Sequence, residues 1–118
     1  MRVFLCNDDP AFCAIVGYWL DDTDDLQLVA ATYDRATALL ALPDAQVDVV
    51  LLDSIGRDAE PLSVTDVRAA HPGVRVIVYS GLPPAQAQET LGGEADLYLQ
   101  KDFEPDHLVD ALRRLPPR

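Results

Sequence analysis

The sequence predicts an α/β domain: a doubly wound parallel sheet of five strands, each followed by a helix. Apolar strand-like runs and amphipathic helix-like stretches alternate five times along the 118 residues, as they do when helices cover both faces of a parallel sheet. The runs, such as Val49-Val50-Leu51-Leu52, are apolar without alternation, which marks strands buried on both faces. Asp53 directly follows that run, and Asp8 and Asp9 follow another, Val3-Phe4-Leu5-Cys6. The carboxyl ends of strands are where open α/β sheets bind ligands.

The first strand is Arg2 to Cys6. Pro10 suits the first turn of a helix, where its missing N–H costs nothing. That helix runs to about Leu20, with Phe12, Ile15, Val16 and Trp19 on one face, and the acidic run Asp21 to Asp25 ends it. Leu26 to Ala31 is the second strand. Asp34 is an N-cap for a helix from Arg35 to Leu42, which stops before Pro43. Val47 to Leu52 is the third strand, and Pro61 opens a helix that reaches Ala70. His71-Pro72-Gly73 closes it, and Val74 to Tyr79, apolar and β-branched, is the fourth strand. Pro83-Pro84 starts a short polar helix through Leu91, ended by Gly92-Gly93. Ala95 to Leu99 is the fifth strand. Glu104-Pro105 begins the last helix, with Leu108, Val109, Leu112 and Leu115 as its stripe and Pro116-Pro117 as its stop.

One (βα)5 domain over residues 1–118 follows. Right-handed crossovers favour the strand order 2-1-3-4-5, the flavodoxin-like arrangement, with a crevice between strands one and three. Asp8, Asp9 and Asp53 fall at that switch point.

Composition narrows the function. Hydrophobic residues are 49% of the chain and charged residues 25%, which is globular. A net charge of −11 with nine scattered Lys and Arg argues against direct nucleic-acid binding. Arg113 and Arg114 are expected to complement the end of the last helix. No run is long enough for a membrane span. Met1-Arg2 leads straight into a strand with no signal-peptide pattern, so a cytoplasmic protein is expected. Cys6 and Cys13 form no zinc or disulfide framework and read as core thiols. The Asp21 to Asp25 run lacks the spacing of a calcium loop. His71 and His107 lie away from the carboxyl edge, have no partner in sequence, and read as surface histidines.

Ser80 follows the fourth strand and Lys101 the fifth. Taken one at a time, a Ser before Gly is a turn and a Lys after a strand is a solvated loop residue. Together with the carboxylates they place an acidic cluster, a hydroxyl and an ammonium along one sheet edge. Phosphoryl transfer to an aspartate uses such a set. Clustered carboxylates bind Mg²⁺, a cation neutralises the phosphoryl oxygens, Asp53 is the nucleophile, and Ser80 donates to a phosphate oxygen.

On these residues the chain resembles the receiver domains of two-component response regulators, over nearly its whole length. The family's acidic pair matches Asp8 and Asp9, its phosphoacceptor Asp53, its switch hydroxyl Ser80, its lysine Lys101 and its switch aromatic Tyr98. The resemblance implies Mg²⁺ held directly by Asp9 and Asp53, with Asp8 acting through water and the Ile55 backbone carbonyl as third protein ligand. It implies a sensor histidine kinase or phosphotransfer protein as donor, and an output domain or partner protein downstream. Phosphorylation would draw Ser80 toward the phosphate and turn Tyr98 inward, changing the face formed by helix four, strand five and helix five. A homodimer through that face rests on family analogy alone. The resemblance implies a phosphoacceptor that at most catalyses its own phosphorylation and slow dephosphorylation.

The chain departs from the family's habits in three places. The family's Met-Pro after the acceptor and its later Gly are replaced by Gly56, Arg57 and Pro61. Asp102 stands where a cis proline often follows the lysine, and a trans bond is expected because a non-proline cis bond costs about 3 kcal/mol. Ile55 and Leu82 are apolar where polar residues orient water, which implies slow self-dephosphorylation. Two other readings stay open: a degenerate receiver acting as a phosphate-independent interaction module, and a small flavodoxin-like cofactor-binding domain. The acidic Asn7-Asp8-Asp9-Pro10 segment disfavours the second. An aspartyl-phosphate hydrolase needs an Asp where Ile55 stands.

Overall fold

The run Val49–Leu52 is buried at every position, because it pairs with a strand on either side and is covered by helices on both faces. It is the third strand, β3, of a five-stranded parallel sheet in the order β2-β1-β3-β4-β5. The other strands are β1 (Arg2–Cys6), β2 (Gln27–Thr32), β4 (Arg75–Ser80) and β5 (Leu97–Gln100). The helices are α1 (Pro10–Asp21), α2 (Arg35–Ala41), α3 (Val64–Ala70), α4 (Pro84–Leu91) and α5 (Pro105–Arg114). The structure, a computed structural model, describes residues 1–53 and 62–116. This is the predicted flavodoxin-like (βα)5 fold.

Strand side chains alternate between faces, and the sheet therefore divides the core in two. Val3, Leu5, Val49, Leu51, Ile77 and Tyr79 pack against Phe12, Val16 and Leu20 of α1 and Leu108 and Leu112 of α5. Phe4, Cys6, Val50, Leu52, Val76 and Val78 pack against α2, α3 and α4. Because both layers are filled, the carboxyl edge of the sheet is held rigidly, and side chains leaving it are aimed by a fixed frame.

Several element ends differ from the sequence expectation, each for a local reason. α2 does not end the helical path at Pro43: a 3-10 turn, Leu42–Asp44, carries the chain through it. A proline in the first turn needs no N–H donor, and the buried Leu42 anchors the turn in the core. α3 begins at Val64, later than expected from Pro61, which itself lies outside the described residues. Ser63 sets the start. Its hydroxyl accepts the Asp66 N–H at 3.0 Å, and the Asp66 carboxylate accepts the Ser63 N–H at 3.1 Å, a capping box. β5 begins at Leu97 rather than Ala95, since the Asp96 carboxylate takes the Val76 N–H at 2.7 Å at the mouth of the ladder. β3 begins at Val49 rather than Val47, and β2 and β4 each sit one residue later than expected. Ser80 is therefore the last residue of β4.

Candidate functional site

Asp53 leaves the end of β3 with 7% of its surface exposed. Its backbone N–H donates to the Cys6 carbonyl at 3.0 Å, which fixes it beside the end of β1. A buried carboxylate demands donors. Two converge on Oδ2: the Asn7 side-chain amide at 2.8 Å and the Lys101 ammonium, in an ion pair. Lys101 is itself positioned from two sides. Its backbone N–H donates to the Ser80 carbonyl at 2.7 Å, and its Nζ stands 4.2 Å from the centre of the Phe12 ring, a cation–π contact. No peptide bond among the described residues is cis, so the Lys101–Asp102 bond is trans as expected.

Asp8, Asp9, Asp53 and Lys101 line one cleft of about 310 Å³ with Asn7 and Phe12. A larger groove, about 450 Å³, lies elsewhere, between β5 and α5. Within the cleft Asp9 faces outward. It is the N-cap of α1, and its Oδ1 accepts the Ala11 N–H at 3.0 Å. Asp8 is half-buried. Among the described residues no three carboxylate, imidazole or thiol groups stand close enough to share one ion. Ile55, whose carbonyl the family resemblance implies as a ligand, lies outside the described residues, as do Gly56 and Arg57. The cleft's acidic donors, Asp8, Asp9 and Asp53, are nonetheless hard carboxylate oxygens, the kind that suits Mg²⁺.

Ser80 is 1% exposed, and its hydroxyl accepts the Leu82 N–H at 3.1 Å. Register places it opposite Gln100, one residue before Lys101. Tyr98 pairs with Val78, two residues before Ser80, and its ring packs on that same face with the α3–α4 core. Its hydroxyl donates to the Gly93 carbonyl at 3.2 Å and accepts the Ala95 N–H at 3.1 Å. Tyr98 thereby ties β5 to the loop after α4.

The sequence pattern of the response regulator receiver domain matches residues 3–113. The chain belongs to that family. This receiver domain is similar in structure to the response regulator domain of Thermotoga maritima CheB, with 16% identity and a TM-score of 0.78 over 98% of this chain and 95% of that one. It is similar to the signal receiver domain of the response regulator NarL from Mycobacterium tuberculosis, with 27% identity and a TM-score of 0.75 over 95% and 92%. In an RcsB–DNA complex the likeness reaches a TM-score of 0.82 at 21% identity, over 98% of this chain but 59% of RcsB. No described helix of the receiver is long and apolar enough to cross a membrane.

Three residues of the receiver's cleft were not singled out as site residues from sequence. Asn7 was named only within the acidic segment after the first strand, and Phe12 only on the apolar face of the first helix. Phe103, with φ +60° and 63% exposed, sits edge-on to Phe12 with ring centres 6.1 Å apart. The histidines have partners that were not apparent in the sequence. His107 is on the surface but its Nδ1 is paired with Asp102, which raises its pKa above the ordinary value, while Asp102 falls below its own. His71 Nε2 meets the Ala45 carbonyl at 2.8 Å. Arg113 forms a two-armed contact with Asp25, at 2.8 and 3.0 Å, rather than simply serving its own helix end.

Proposed function

We propose that this receiver domain accepts a phosphoryl group on Asp53 from a histidine kinase or phosphotransfer protein and passes the change to an output domain or partner. The observation that carries this reading is the convergence of Lys101 and Asn7 on one buried oxygen of Asp53. That arrangement holds a carboxylate in place, beside a cation able to follow charge onto a phosphate.

Asp8, Asp9 and Asp53 would hold Mg²⁺, joined by the Ile55 carbonyl. Asp9 caps α1 through Oδ1, so Oδ2 is the oxygen it would offer the ion. Bound there, the ion supplies neutralisation of the phosphoryl oxygens during transfer. The remaining chemistry belongs to the chain. An oxygen of Asp53 bonds to phosphorus as the bond from phosphorus to the donor imidazole breaks, and the departing imidazole keeps that electron pair. Lys101, paired with the carboxylate beforehand, neutralises the new phosphate. Ser80 exchanges its contact with the Leu82 N–H for donation to a phosphate oxygen. That exchange pulls on the β4–α4 loop, and Tyr98, bonded to the far end of α4 through Gly93 and Ala95, registers the movement on the α4–β5–α5 face. The order is that of a local charge change biasing a two-state element.

A phosphorylated kinase core mixed with the receiver tests the reading. Label should pass to the receiver, be removed by hydroxylamine as acyl phosphates are, and fail to appear in Asp53→Asn. A hydroxylamine-resistant label, or label that persists in Asp53→Asn, would refute Asp53 as acceptor. A second reading, a phosphate-independent interaction module, draws on the same geometry: Lys101 neutralises Asp53 and Asn7 donates to it without any bound ion.

A further inference from the structure

Asn7 is 1% exposed, and each polar atom of its side chain has an assignable partner. Oδ1 accepts the Asp9 N–H at 2.8 Å and Nδ2 donates to Asp53 Oδ2 at 2.8 Å. The amide's orientation is chemically forced. A backbone N–H only donates and a carboxylate only accepts, so the oxygen must face Asp9 and the nitrogen Asp53. Its backbone is fixed as well, by donation to the Thr32 carbonyl at 3.0 Å. An aspartate here would keep the first contact and lose the second. It would set a carboxylate oxygen against Asp53 Oδ2, with Lys101 as the one described ammonium lining the cleft and Asp8 and Asp9 adding negative charge. A cluster of that kind is stable only with a further cation.

We propose that Asn7 is the positioning residue of Asp53, and that its uncharged amide sets how strongly this cleft demands a divalent cation. The amide donates to Asp53 Oδ2 beside Lys101 and withholds one negative charge from the ion. The phosphoacceptor is thus preassembled before any ion arrives, and the ion is held less tightly than a third inward carboxylate would hold it. The second half of this inference rests on the magnesium reading given above; the first does not.

Asn7→Asp isolates the point, because it preserves the oxygen that accepts the Asp9 N–H and replaces only the donating nitrogen. Two measurements are made on the full chain. In EDTA, Asn7→Asp should lower Tm by several degrees in the Asp53 background. It should lower it far less in Asp53→Asn, where an amide again faces a carboxylate. By calorimetry, Asn7→Asp should bind Mg²⁺ about tenfold more tightly than wild type, from one added charge at short range. Equal Tm losses in both backgrounds would show that Asn7 only shapes a turn and would overturn the positioning role. Unchanged Mg²⁺ affinity with background-dependent Tm losses would overturn the charge-setting half alone. If neither protein binds Mg²⁺, the magnesium reading and with it the charge-setting half fall, while the EDTA comparison still decides the positioning role.

Discussion

The Lys101 ammonium stands 4.2 Å from the centre of the Phe12 ring while it pairs with Asp53. Phe12 also packs against Tyr79, Trp19 and Phe103, so the lysine that serves the acceptor is seated on the α1–α5 core. Phe12→Leu keeps an apolar plug but removes the ring face. We expect it to cost about 1–2 kcal/mol in urea unfolding and to slow phosphorylation of Asp53. Phe12→Ala should cost about 3–5 kcal/mol. A Phe12→Leu protein with unaltered phosphorylation kinetics would show that the ring is only packing.

Removing the lysine tests the same relationship from the other side. Lys101→Met leaves the Asp53 carboxylate without its ammonium in a site where both side chains are largely buried. The expected loss is about 3 kcal/mol, and a Lys101→Met/Asp53→Asn double variant should regain most of it, as chemical denaturation will show. If the double variant regains nothing, the pair is not the source of the loss.

The pair Asp102–His107 predicts a pH response. Asp102 raises His107 above its ordinary 6.5, chiefly through their hydrogen bond, so the folded protein holds that proton more tightly than the unfolded chain. The resulting stabilisation is complete below pH 6.5 and is lost as pH rises through the folded-state value. At the acid end, Asp102 lies below its ordinary 3.8, its first cause being the hydrogen bond from the Glu104 N–H. Its contribution is present above 3.8 and disappears as pH falls through the lowered value. An NMR titration of His107 should give a midpoint above 6.5 that drops in Asp102→Asn. Identical midpoints in both proteins would mean the contact does not persist in water.

Leu82 follows the Ser80–Gly81 turn with its N–H on the Ser80 hydroxyl and its side chain against the α3–α4 core. It offers no group to orient water. The phosphorylated protein should therefore lose its label slowly, and Leu82→Gln should shorten the lifetime about tenfold. A wild-type lifetime of seconds would contradict this.

Much of this was legible in the sequence because parallel strands buried on both faces leave uninterrupted apolar runs, and Asp53 and Ser80 each sit at the end of one, while Lys101 follows the shorter edge strand β5. Crossover handedness limited the topology, and the flavodoxin-like order expected within that limit is the one observed. What escaped depended on partners distant in sequence. Asn7 resembles any turn residue until β3 brings Asp53 beside it, 46 positions away. Phe12 fits a helix stripe whether or not a lysine lies on it. The cap that Asp9 makes before Pro10 was not drawn from the sequence, although Asp-Pro is a common start of a helix, and Oδ1 makes it here. The start of α3 was visible in Ser63-Val64-Thr65-Asp66, a capping pattern overshadowed by Pro61. The thiols were read as core residues, and burial pushes Cys6 to about 12 and Cys13 to about 11.

The most direct test of the account is the intact mass of the protein after incubation with acetyl phosphate and Mg²⁺, beside Asp53→Asn. A single phosphoryl adduct that vanishes in the variant and without Mg²⁺ is the predicted result. An adduct of the same size on Asp53→Asn would contradict it.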